Sequence, residues 1–98
     1  MDDISPIFRQ AARAQFADIG DRRVSEFGGR VLLYRLVAKA LPQLAQENGQ
    51  INQAIDSLVD QVGAGRLKSD AAASQFIHLV ELMCNPGIAS TTHQTVNS

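Results

Sequence analysis

The sequence predicts an all-α fold: a compact four-helix bundle with a mobile C-terminal tail, paired as a homodimer. Three observations carry this expectation. Apolar residues recur at spacings of three and four, and no alternating run suits a strand. Start and stop residues punctuate that pattern at helix-length intervals. Leu, Ile, Val and Phe make 27 of the 98 residues, more than disordered chains carry, so a packed core is expected.

The first helix is expected over residues 5–19. Ser5 can accept a hydrogen bond from a free amide of the first turn, and Pro6 loses nothing at the first helical position. Phe8, Ala12, Phe16 and Ile19 then fall on one helix face, and Gly20 can end the helix in the left-handed conformation.

The second helix is expected over residues 22–47, with Asp21 as its cap. It carries two apolar stripes. One is Val24, Phe27, Val31, Tyr34, Ala38 and Leu41; the other is Leu33, Val37, Ala40 and Leu44. Between Val31 and Leu41 only Arg35 and Lys39 are polar, so the segment is apolar almost all round, as in a helix buried on most sides. Gly28-Gly29 weakens the helix locally, or else admits a close neighbour.

A longer seam crosses the middle of the chain. Tyr34, Val37, Leu41, Leu44, Asn48, Ile51, Ile55, Leu58 and Val62 are spaced three and four in strict alternation. Pro42 and Asn48-Gly49 argue for a break or strong kink within 42–50, which would turn the seam into two facing stripes. One continuous helix is the alternative. The third helix is then expected over 50–63.

Gly63-Ala64-Gly65 ends it, and Leu67 is expected to plug the bend. Ser69 should cap a fourth helix whose inner face is Ala72, Ala73, Phe76, Ile77, Val80, Met83 and Cys84. Asn85-Pro86-Gly87 stops it. Residues 1–87 read as one domain, and the polar segment 88–98 as a flexible tail.

Charge and composition narrow the function. Nine basic against ten acidic residues exclude a polybasic chain and an acidic tail. The single cysteine, Cys84, cannot form an internal disulfide, and the acidic start Met1-Asp2-Asp3 does not suit a secretory signal. The longest nearly apolar run, 11 residues, is well short of the ~20 a membrane span needs. A cytoplasmic protein with no membrane contact is expected.

Tests for chemistry come out empty. His78 and Cys84 are six apart and point to different helix faces, and His93 lies in the tail, so neither a metal site nor a Cys–His pair forms within the helix. No glycine-rich phosphate loop follows a strand. No enzyme, metal or cofactor is expected.

Two interaction features remain. The first 39 residues carry net +2, with Arg9, Arg13, Arg22 and Arg23 prominent, while the remainder carries −3. These arginines could orient an acidic partner or touch nucleic acid, although the helix after the glycine turn lacks Lys and Arg. The second helix has more apolar surface than one small core covers, and Leu32, Leu33, Leu36 and Val37 are the residues expected to meet a second copy or another protein. The expected function is therefore a small non-enzymatic regulator or adaptor that binds a protein through an apolar helix face. A DNA-binding regulator using the arginines is the alternative. A secretion-system chaperone or component, with the tail as a handle, is the third.

Overall fold

The computed structural model describes residues 5–47 and 49–84, and every regular element among them is a helix. There are five: α1 (Pro6–Gly20), α2 (Glu26–Ala40), α3 (Pro42–Glu47), α4 (Gly49–Gly63) and α5 (Ser69–Cys84). The count differs from the expected four because Pro42 opens a helix of its own.

α1 begins as its residues dictate. Ser5 is extended (φ −63°, ψ 146°), and its Oγ accepts the amide of Phe8 at 3.1 Å, with Pro6 in first position. Its far end differs from expectation. Gly20 is the last helical residue, but the left-handed position falls to Arg22, at φ 60°. The Arg23 amide donates to the Asp18 carbonyl (2.8 Å) and the Arg22 amide to that of Ile19 (3.1 Å), which is the Schellman closure. Gly65 (φ 77°) does the same for α4, where Arg66 donates to Gln61 (2.9 Å) and Gly65 to Val62 (3.0 Å).

That closure uses residues 21–23, so α2 starts later than expected. Ser25, not Asp21, is its cap, and Ser25 Oγ accepts the Gly28 amide at 2.9 Å. The helix ends where Leu41 leaves helical geometry (φ −137°, ψ 64°) ahead of Pro42. Proline lacks the amide that would continue the ladder and disfavours a helical residue before it. The seam is thus broken, and its halves face each other. Val37, Ile51, Ile55, Leu58 and Val62 are buried, with Tyr34, Leu41 and Leu44 packed against them. Asn48 lies outside the described residues.

α5 starts at Ser69 itself, so Ser69 is its first residue rather than its cap, and the Lys68 carbonyl accepts the first helical bond, from Ala72 (2.9 Å). The expected inner face holds: Ala72, Ala73, Phe76, Ile77 and Val80 are buried, with Met83 and Cys84 partly so. Leu67 packs against the core from the loop before α5, as expected.

The core is one cluster drawn from four helices. α1 packs on α2 and α5, and α4 on α2 and α5. α1 and α5 run in opposite directions, since Arg9 near the start of one reaches Glu81 near the end of the other. Phe76 joins the two, 6.1 Å from Phe8 and 5.8 Å from Phe16 between ring centres, both tilted as aromatic quadrupoles prefer. α1 and α2 approach closely because Gly29 has no side chain. A methyl there would stand 2.4 Å from Ile19 Cγ1. Of the two readings of Gly28-Gly29, the close neighbour applies to Gly29. No helix among the described residues is long and apolar enough to cross a membrane. The segment expected to be a flexible tail, 88–98, lies outside the described residues.

Candidate protein-interaction face on helix α2

The inner side of α2 is set by Leu33 and Val37, which retain 0 % and 1 % of their accessible surface. Both were expected to meet a partner. The structure spends them on the chain's own core, so the interaction face cannot include them. Leu36 is half-buried against the same core, and Leu32 is 37 % exposed at its edge.

The opposite side of the helix carries Phe27, Val31, Arg35 and Ala38. Phe27 is 71 % exposed, Val31 half-buried, and Arg35 and Ala38 exposed. The two sequence stripes are therefore assigned by the fold. Leu33 and Val37, from the second, are core, while Phe27, Val31 and Ala38, from the first, look outward. Burying a phenylalanine is worth roughly 1.5–3 kcal/mol, so a ring left this exposed is unspent hydrophobic free energy.

Between this face and α4 lies a polar cluster. Arg30 Nη2 donates to Asp60 Oδ1 at 2.7 Å. Arg30 Nε lies 3.1 Å from Asp56 Oδ1, near enough for an ion pair but out of line for a hydrogen bond. The Tyr34 hydroxyl donates to Asp56 Oδ1. Burial, then the hydrogen bond to Asp56, pushes the Tyr34 phenol above its ordinary pKa of 10.0, so it stays protonated as a donor. Asp56 and Asp60, with side chains 47 % and 64 % open to water, tie α4 to α2 from its solvated side.

The arginines do not form one surface. Arg9 is held by Glu81 at 2.5 Å, while Arg13, Arg22 and Arg23 are exposed. The helical rise separates Arg9 from the Arg22–Arg23 corner by about 20 Å.

Further concavities lie among the described residues. An apolar groove of about 700 Å³ is lined by Ala40, Leu41, Pro42, Leu44, Met83 and Cys84. Its thiol is pushed up in pKa by burial, which lowers its thiolate fraction and hence its nucleophilicity. A second hollow, at the start of α5, mixes Arg66 and Lys68 with Asp21 and Asp70 and so has no net charge to offer an ion. No group of three or more His, Cys, Asp or Glu among the described residues could hold a metal ion.

The residue that sequence reasoning missed is Phe27. The flanking charges gave no signal, since Arg30 lies three residues from Phe27 and three from Leu33 and so borders both stripes. Ile7, 78 % exposed near the start of α1, was also not singled out. Comparison with known family patterns, with curated proteins and with solved structures found no match.

Proposed function

We propose that this chain is a small, non-enzymatic regulatory or adaptor protein that binds another protein chain through the outer face of α2. The observation that supports this reading is the exposure of Phe27, 71 % open to water on a helix whose opposite side is sealed. Val31 and Ala38 extend the apolar surface beside it. Aromatic anchors of this kind dominate the energetics of protein interfaces. The exposed Arg35 adds a charge at its margin and favours a partner with an acidic rim.

The test is capture from the native cell with wild-type chain and with Phe27→Ser. Phe27 lies outside the core, so the variant should keep its helical circular dichroism. The reading predicts a partner that is retained by wild type and lost by the variant. Identical capture by both overturns it.

A DNA-binding role rests on Arg9, Arg13, Arg22 and Arg23, and their separation gives it less support. It predicts retention of mixed-sequence DNA at low salt that falls steeply as salt rises.

A further inference from the structure

The groove between the α2–α3 corner and the last turn of α5 follows from Pro42. Proline ends α2 and redirects the chain into α3, which packs on α2 and α4. Leu41, Pro42 and Leu44 line the groove on one side, and Met83 and Cys84 on the other. No lining residue is charged. Leu41, Leu44, Met83 and Cys84 are half-buried and packed against the main core. The groove is therefore an edge of that core, with a volume of about 700 Å³.

Position, reach and chemistry point to one occupant. Cys84 is both the last residue of α5 and part of the groove wall, so the chain leaves the helix at the groove's rim. Pro86 has no amide to extend the helix and disfavours a helical Asn85, and Gly87 takes either hand, which permits a reversal. Ile88 follows Cys84 by four residues, a span of at most about 14 Å. A side chain on so short a tether competes at an effective concentration on the order of millimolar, well above that of a free partner. Residues 85–98 hold no Lys, Arg, Asp or Glu, which suits a wall without charge, and Ile88 is the first large apolar residue among them. A partner selected by charge finds nothing to recognise on this wall.

We propose that Ile88 of this same chain docks in the groove against Leu41, Leu44 and Met83 and closes the edge of the core over the Cys84 thiol. The segment 88–98, expected from the sequence to be a flexible tail, is then anchored at its first residue. Docking adds buried apolar area where the core meets water, and it shields the thiol beyond the half-burial α5 gives it. Reaction of that thiol with an outside reagent then waits on a local opening in which Ile88 lifts away. The outer face of α2 takes no part in this contact.

Cys84 is the single cysteine, so the full chain carries its own reporter. Alkylation by iodoacetamide is followed by mass for wild type and three variants. Ile88→Ser should raise the rate at least about tenfold, since the closed state loses a buried isoleucine. Ile88→Leu, which refills the same space, should restore most of the protection. Val96→Ser should react as wild type does. Residues 88 and 96 lie beyond α5, so all three variants should keep their helical circular dichroism. The contact itself is read in the wild-type chain by nuclear Overhauser effects from the Ile88 methyls to Leu41, Leu44 or Met83. In a mixture of isotope-labelled and unlabelled chain, these should arise within one molecule. Equal alkylation of wild type and Ile88→Ser overturns the inference, as does acceleration by Val96→Ser alone or the absence of those Overhauser effects. Overhauser effects found only between labelled and unlabelled chain place a second copy's segment in the groove and overturn it too. So does a wild-type thiol that reacts as fast as Ile88→Ser when purified but slowly in its native cell, which is the signature of an outside partner.

Discussion

Arg22 and Gly65 hold the same position in the same closure, one after α1 and one after α4. Only glycine takes the left-handed region without a steric cost, which for other residues is about 1–2 kcal/mol. Arg22→Gly relieves that cost but loosens the unfolded chain, so a net gain of about 0.5–1 kcal/mol is expected. Gly65→Ala should lose about 1 kcal/mol, since open space surrounds it and only backbone strain acts. Urea midpoints of the two variants should move in opposite directions. Gly29→Ala works by a different mechanism. Its methyl would overlap the buried Ile19 side chain, and forcing α1 and α2 apart should cost about 1–3 kcal/mol. Of these three residues, the sequence singled out Gly29 as a site of close approach or a local weakness and Gly65 as part of a stop. Arg22 was not readable, because nothing marks an arginine for positive φ. Gly20, two residues earlier, was the more natural candidate.

Among the helices, α1, α4 and α5 follow from their caps and periodicity to within a residue or two. α2 does not, for two reasons. Its start depends on how the end of α1 is closed, which uses up residues 21–23. Its inner side depends on which of two apolar stripes the neighbouring helices cover, and both stripes suit a core. The polar cluster between α2 and α4 was hidden for a related reason. Arg30 is 26 residues from Asp56 and 30 from Asp60 in sequence, and it meets them only when the chain reverses. That cluster makes a pH prediction. The Tyr34 phenol has a folded pKa above its ordinary 10.0, so its contribution is complete below pH 10.0 and is lost as pH rises through the higher, folded value. Melting temperature should therefore fall more steeply in alkali for wild type than for Tyr34→Phe. Near neutral pH the same substitution should cost about 0.5–1.5 kcal/mol, one hydrogen bond's net worth.

Taken whole, the molecule divides its apolar residues in two. Among the described residues sixteen are buried, and Phe76 stands at the centre of them, touching both Phe8 and Phe16 and linking α5 to α1. Phe76→Ala should cost about 3–5 kcal/mol, a large share of what a domain of this size possesses, and should leave the chain largely unfolded at 37 °C. A second set lies outside the seal: Ile7, Phe27, Leu32 and Leu82 are the large apolar residues exposed among the described ones. That the second helix carries surplus apolar surface was readable from its composition. Leu32 was among the residues the sequence singled out, but that Phe27 belongs with it and Leu33 and Val37 do not was hidden, because the assignment is made by α1 and α4, not by α2 itself. The decisive measurement places a photo-crosslinking amino acid at Ala38, on the outer face of α2, and at Gln53, on the exposed side of α4, in chain expressed in its native cell. If α2 carries the contact, illumination yields a discrete protein adduct from position 38 and none from position 53. An adduct from position 53 alone, or none from either, contradicts it.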